Sequence, residues 1–293
     1  KIFFAGVAQA AASLFVCVSY LTVSQYHSAY SATAWVVLLG ALAGLLTIGI
    51  TEAFELVELL WHRKLARRFR PVALQKLERM PMVSLHLPIC NEPPEMVRET
   101  LEALAALDYP NLEVLVIDNN TSDPGLWKPV SDLCQVLGPR FKFHHLDKVE
   151  GFKAGALNHV LRLTDPAAEI VAVIDSDYVV RPDWLANLVP YFADPKIGIV
   201  QAPQDYRDGN ESAFKAMCRW EYAGFFEIGM VHRNERNAII QHGTMTLVRR
   251  AALDALGGWA EWCITEDAEL GLRMMEAGYE TAYVNQSYGQ GLM

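Results

Sequence analysis

Two carboxylates two residues apart, Asp175 and Asp177, close a run of five apolar residues at 170–174. Such a run fits a central strand covered on both faces. Open α/β sheets bind their ligands at the carboxyl ends of the strands, so the run would present both carboxylates where a ligand sits. Hard oxygen donors there suit Mg²⁺ or Mn²⁺, shared with a substrate phosphate. The implied chemistry is metal-assisted and acts on a phosphate-bearing donor. A second candidate is Lys153, which opens a helical stretch and precedes Ala154-Gly155-Ala156. Small residues at that point let a helix start approach an anion closely, although a Lys in a first turn is as often solvated. A third is Asp267, flanked by Glu266 and Glu269 at another helix start. Acidic residues there also favour the helix dipole, but a base far along the chain from the Asp pair can approach a substrate from the opposite side.

The elements that position these residues follow from the pattern of apolar runs. Strands are expected at 83–89, 112–118, 141–146, 169–175 and 197–202, with helices at 94–107, 124–137, 153–163 and 183–193. A long helix over 211–233, a strand at 243–248 and a helix at 266–277 come next. Strands alternating with helices of this length mean βαβ units, a Rossmann-like, mostly parallel sheet with flanking helices. Three strands end in polar groups: Asn91-Glu92, Asp118-Asn119-Asn120 and Asp175-Ser176-Asp177. Right-handed crossovers put the ends of parallel strands on one rim. Each group alone reads as a cap or turn; three on one rim read as a ligand site.

Residues 2–51 contain no Asp, Glu, Lys or Arg, too long an uncharged stretch for a soluble surface. Residues 2–23 and 34–52 are each long enough to span a bilayer, and the short polar link at 24–31 predicts a transmembrane helical hairpin. Tyr20, Tyr26, Tyr30 and Trp35 cluster near its turn as interfacial aromatics do. His62-Arg63-Lys64, Arg67, Arg68 and Arg70 then mark the cytoplasmic side. A secretory signal is the alternative for the first span, but a second span follows at once with no cleavage pattern between them. The expected organisation is two membrane helices with a basic cytosolic flank over 1–70 and a cytosolic catalytic domain over 71–293. A net charge of −9 argues against a nucleic-acid partner. Five scattered cysteines without a paired motif read as packing residues in a reducing compartment. The first residue is Lys1 rather than Met, so the chain is expected to be a piece of a longer polypeptide.

Five motifs then occur in the order seen in processive family 2 glycosyltransferases: Pro88-Ile89-Cys90-Asn91-Glu92, Val116-Ile117-Asp118-Asn119-Asn120-Thr121-Ser122-Asp123, Gly151-Phe152-Lys153-Ala154-Gly155-Ala156-Leu157-Asn158, Asp175-Ser176-Asp177 and Thr265-Glu266-Asp267. Residues 83–284 resemble the catalytic part of a cellulose-synthase-like membrane β-glucan synthase. The resemblance implies a GT-A fold, a UDP-sugar donor (UDP-glucose by family preference), a glycan acceptor and inversion at the anomeric carbon. It also implies an inner-membrane, multi-pass location. Asp118 would bind the uracil, Asn91 and Glu92 would line the nucleotide pocket, and Lys153 would sit by the uridine or diphosphate. Asp175 and Asp177 would hold Mg²⁺ or Mn²⁺, with Asp177 the direct ligand and Asp175 also at the donor. Asp267 would be the general base, with Glu266 beside it on the acceptor side. Gln241-His242-Gly243-Thr244, followed by Arg249-Arg250, resembles the segment lining the acceptor site. The doublet Trp259 and Trp262 is an acceptor-stacking candidate. Trp220, Tyr222, Phe225 and Phe226 read as core or membrane-interface contacts, with sugar stacking as the minority reading.

The family's Gln-x-x-Arg-Trp motif and later membrane helices, which would form a translocation channel, do not occur before Met293. The fragment alone is therefore expected to bind donor poorly or not to turn over. Three other readings stay open. A non-processive transferase acting on a lipid-linked acceptor would carry the same motifs. A haloacid-dehalogenase-type phosphatase would use Asp175 as nucleophile, although that nucleophile normally follows the first strand. A non-catalytic scaffold would have no reason to keep Asp118, Lys153, both Asp of the pair and Asp267 together.

Overall fold

The computed structural model describes residues 2–23, 28–61, 67 and 79–293. The chain divides into two compact units, Lys1–Lys64 and Leu65–Met293. The first holds helices α1 (Ile2–Val23) and α2 (Ala29–Trp61). By length and composition α2 is able to cross a membrane, whereas the apolar stretch described in α1, Gly6–Tyr20, is shorter. Val36, Val37 and Leu45 are exposed along α2, and a helix apolar all round requires apolar surroundings. Of the polar link expected at 24–31, residues 24–27 lie outside the described residues, as does most of the expected basic cluster, whereas 29–31 already belong to α2. Arg67, from that cluster, belongs to the second unit, where its guanidinium donates to Glu280 Oε2 at 2.6 Å and to the Thr281 carbonyl at 2.8 Å.

In the second unit the described strands form a seven-stranded sheet in the order β3-β2-β1-β4-β7-β6-β8. These are β1 (Met82–Ile89), β2 (Leu112–Asn119), β3 (Phe141–Leu146), β4 (Ala168–Val173), β6 (Ile197–Gln201), β7 (Thr246–Arg249) and β8 (Glu280–Tyr283). The strands β1 to β4 run parallel, as do β6 and β8, while β7 is antiparallel to both its neighbours. A two-residue strand β5 (Val179–Val180) pairs with β9 (Gly289–Gln290) in a separate ladder. Alternation sorts the side chains by face. Leu85, Leu87, Val114, Val116, Ile170 and Ala172 join a core with Val97 and Leu101 of α3 (Pro94–Ala105) and Val130 of α4 (Pro124–Leu137). On the opposite face Leu115 and Ile117 pack on Ala156 and Val160 of α5 (Phe152–Leu163). Val171 and Val173 pack on Leu157 of α5, and on Leu253 of α9 (Arg250–Ala255) and Leu270 of α10 (Glu266–Glu276). Both faces are thus covered, the architecture of a GT-A-like α/β fold.

Several boundaries differ from those expected, each for a local reason. The strand expected to run to Asp175 leaves the ladder after Val173, because the Asp175 N–H turns to the Thr244 hydroxyl at 3.0 Å. The helix expected over 183–193 is α6 (Trp184–Leu188) followed by a 3₁₀ turn, Val189–Ala193. Pro190 has no N–H to continue the α ladder. The long helix is α7 (Ala213–Gly224), a π turn at Phe225–Met230 and α8 (Val231–Asn234). The strand expected at 243–248 begins only at Thr246, since Met245 adopts a positive φ of 53°.

β1 carries an unusual polar side chain into the core. His86 is fully buried, with Nε2 2.9 Å from the Thr164 hydroxyl. Burial, assisted by Arg250, lowers its pKa from 6.5 to about 3. Between those values the unfolded chain binds a proton that the folded one refuses, so stability falls as pH drops below 6.5. Denaturant titrations of the purified protein are expected to show a loss approaching ~1.4 kcal/mol per pH unit from this group alone. His86→Gln, although less stable at neutral pH, should flatten that part of the profile.

Candidate active site

Because β1, β2 and β4 are adjacent and parallel, with Ile89 opposite Asp118 and His86 opposite Val173, their carboxyl ends form one rim. Asn91 and Asn120 turn the chain there with φ of 56° and 62°, a left-handed conformation that Asn tolerates better than most residues. The turns open a cavity of ≈ 540 Å³ whose walls include Glu92, Asn120, Phe152, Lys153, Asp175 and Asp177. Helix α5 starts at this rim after Gly151, itself left-handed at φ 83°. A Cβ on Gly155 would lie 1.9 Å from the Glu150 carbonyl oxygen, so the Ala-Gly-Ala sequence is what lets the loop fold down onto the helix start.

Lys153 extends from that start and donates to Asp175 Oδ1 at 2.5 Å and to the Gly243 carbonyl at 3.0 Å. Burial would lower its pKa, but Asp175, with Glu266 and Asp267 farther off, holds it above the usual lysine value. On the other carboxylate of the pair, Asp177 Oδ2 accepts the Leu292 N–H at 2.8 Å. Arg207 donates to the Asp177 carbonyl at 2.5 Å. Burial raises Asp177, the Leu292 N–H opposes it, and Asp175 adds to the rise. Glu92 is raised by burial, against a hydrogen bond from Ser176, with Asp177 and Asp175 adding their repulsion. Hard carboxylates that repel one another on one cavity wall suit a divalent cation that completes its shell with diphosphate oxygens and water. Among the described residues no three His, Cys, Asp or Glu side chains gather closely enough to hold a metal by themselves.

Asp267 arrives from the other direction, on the first turn of α10. Lys153 and Phe152 also line a second cavity of ≈ 410 Å³, together with Thr265, Glu266 and Asp267. Lys153 therefore stands between the cavity of the Asp pair and the cavity of the acidic helix start. Gly243 sits at the junction: a Cβ there would lie 3.0 Å from Lys153 Nζ and 3.2 Å from Asp267 Oδ2. Glu266 is 6% exposed and raised chiefly by burial.

Residues 81–288 match the profile of the family described as glycosyltransferase like family 2. The chain belongs to glycosyltransferase family 2. It is 29% identical over 213 residues to probable glucomannan 4-beta-mannosyltransferase 1 of Arabidopsis thaliana, covering 70% of this chain and 38% of the relative. It is 30% identical over 223 residues to the UDP-forming cellulose synthase catalytic subunit of Pseudomonas fluorescens, covering 73% and 29%. Beta-monoglucosyldiacylglycerol synthase of Trichormus variabilis is 32% identical over 205 residues, covering 67% and 41%. The chain thus spans less than half the length of these curated relatives. Among solved structures, the mannosyltransferase PcManGT of Pyrobaculum calidifontis in complex with GDP-Man and Mn²⁺ superposes with a TM-score of 0.61 at 25% identity, covering 80% of this chain and 62% of that one.

Within this family 2 fold, the structure gathers Glu92, Lys153, Asp175, Asp177, Gly243, Glu266 and Asp267 around the two cavities. Other expected residues stand elsewhere. Asn91 is exposed but is not a wall of the cavity of the Asp pair, which Cys90 and Glu92 line instead; its N–H donates to the Thr121 hydroxyl at 2.8 Å. Asp118 is 1% exposed, accepting from the Thr121 hydroxyl at 2.6 Å and lying 2.6 Å from His145 Nδ1. It therefore lies beneath the rim, with its carboxylate engaged by Thr121 and His145. Thr244 is also buried, with its hydroxyl committed to the Asp175 N–H, so it holds the Asp pair instead of lining the acceptor side. His242 is half-buried against the rings of Phe225 and Phe226, at 5.3 and 5.0 Å between centroids. Burial lowers its pKa, with Asp267 opposing. Trp259 corrects the stacking expectation outright: at 2% exposed it packs with Ala154, Leu157 and Leu270. Of the doublet, Trp262 is the exposed ring.

Two further residues support the site: His145, stacked on Trp127 at 4.3 Å, and Asn158. The Asn158 carboxamide accepts from the Trp259 N–H at 2.8 Å and donates to its carbonyl at 2.9 Å. The position of Asn158 in the Lys153 motif was the available signal. Gly243 carries the sharpest test. Gly243→Val is expected to displace Lys153 and lower transfer about a hundredfold, with a melting temperature close to that of the parent. Transfer by that variant within threefold of the parent would show that the junction is not part of the site.

Proposed function

We propose that the chain is the catalytic part of a membrane-embedded, inverting glycosyltransferase that adds glucose from UDP-glucose to the growing end of a β-glucan. The observation that supports it most is the position of Lys153, which bonds Asp175 on one side and the Gly243 carbonyl on the other, where Asp267 also approaches Gly243. In this reading the acceptor hydroxyl enters on the Asp267 side and attacks the anomeric carbon. Its proton passes to an Asp267 carboxylate oxygen as the bond from that carbon to the diphosphate oxygen breaks. Asp175 and Asp177 would hold Mg²⁺ or Mn²⁺, which would offset charge on the diphosphate. Lys153 adds a second positive charge between the two cavities, directed at the same developing anion. Glu92 and Asp118 belong to the nucleotide side, with Asp118 reaching the uracil only when its contact with His145 opens. Glu266 and His242 border the acceptor.

The apolar α2 suits a protein held in the bilayer, with the catalytic unit cytosolic at a bacterial-type inner membrane. Further membrane helices or subunits would form the channel. A second reading, transfer to a lipid-linked acceptor without processivity, is favoured by the 32% identity to beta-monoglucosyldiacylglycerol synthase. A high-mass insoluble product separates the two.

The test is nucleotide release by the full-length parent in membrane vesicles, across a panel of UDP-sugars, with and without Mg²⁺ or Mn²⁺. Metal-dependent release is expected with UDP-glucose. Asp267→Asn should lower it about a thousandfold or more while UDP affinity stays within threefold. Folded protein that releases nucleotide from no UDP-sugar would overturn the proposal.

A further inference from the structure

A cavity of ≈ 440 Å³ lies between α7, the loop after β6 and the segment after β8. It shares no wall residue with the cavities of the Asp pair and the acidic helix start. Its size is within the ~300–1,000 Å³ of small-molecule sites. Tyr206 and Tyr222 form an aromatic wall with centroids 5.0 Å apart, and Trp220, 78% exposed, stands at the edge. The walls also include the carboxamides of Asn285 and Gln286, whose side chains hydrogen-bond to no described residue. Asp205 contributes a carboxylate fixed by Gln290 Nε2 at 2.8 Å.

These side chains select a ligand class. A pyranose presents C–H bonds on its faces and hydroxyls around its edge. Aromatic rings meet the first by dispersion, and carboxamides, which donate and accept together, meet the second. Two carboxylates, Asp205 and Glu227, against one guanidinium, Arg219, make the walls unfavourable for phosphate. The carboxylates and carboxamides set among the apolar walls would be left without partners by an acyl chain.

We propose that this cavity is a second glycan-binding site that takes a neutral β-linked oligosaccharide at a distance from the bond being made. It is coupled to the reaction centre through two contacts. Phe226, part of its wall, packs on His242 at 5.0 Å. Arg207, next to Tyr206, donates to the Asp177 carbonyl. The proposal rests on the transferase reading for the origin of the glycan, and not for its binding.

The experiment is isothermal titration calorimetry of cellotetraose into the full-length parent in detergent, without donor, alongside UDP release from UDP-glucose. Cellotetraose should bind, Trp220→Ala should weaken it about tenfold, and Trp220→Phe should retain most of the affinity. Asn285→Ala combined with Gln286→Ala should weaken it comparably, which decides the matter if Trp220→Ala does not fold. Wild-type protein that releases UDP but binds no cellotetraose, or binding that neither set of variants weakens, would overturn the site while leaving the transferase reading intact. Cellotetraose binding that the variants weaken, in a protein that releases no UDP, would uphold the site and sink that reading instead.

Discussion

The contact between the Lys153 ammonium and the Asp175 carboxylate sets the conditions for the rest of the rim. Glu92, Asp177, Glu266 and Asp267 stand around that pair, and several are pushed up by burial and by one another. Without a cation among them, so many carboxylates at strand ends and a helix start would repel one another in a medium that screens poorly. The lysine supplies part of that compensation. The remainder is what a metal and its diphosphate ligand would find attractive.

The fold delivers this arrangement through one topological irregularity. A wholly parallel sheet would carry the chain away from the Asp pair after β6. Instead β7 runs antiparallel beside β4, so the residues just before it, Gly243 to Met245, pass under the end of β4. There Thr244 takes the Asp175 N–H and Gly243 leaves room for Lys153 and Asp267. The strained φ of Met245 is where this course change is stored. Farther along, Gly257 and Gly258, both at φ 83°, fold Trp259 inward against α5 and bring the start of α10 back to the rim.

Much of this was legible in the sequence because buried parallel strands are written as unbroken apolar runs. The runs at 114–117 and 170–174 needed nothing else, and the polar residues that end them stood out by contrast. What was not legible depended on direction and exposure. The orientation of β7 is invisible to an apolar pattern. The exposure of a Trp doublet is set by the glycine turn before it and by Asn158, whose two bonds to the Trp259 backbone leave no periodic trace. Asp118 was found, but its partner His145 lies in a strand whose own pattern suggested only pairing. The strands β5 and β9, two residues each, are too short to leave a pattern at all.

The most direct measurement is an anomalous-difference map of the full-length parent crystallised with Mn²⁺ and UDP. A manganese peak at coordination distance from carboxylate oxygens of Asp175 and Asp177, with Asp267 across Lys153 from the diphosphate, would place the cation where the carboxylate surplus calls for it. Manganese bound away from both carboxylates, or a diphosphate on the Asp267 side of Lys153, would contradict the division of the rim into a donor side and an acceptor side.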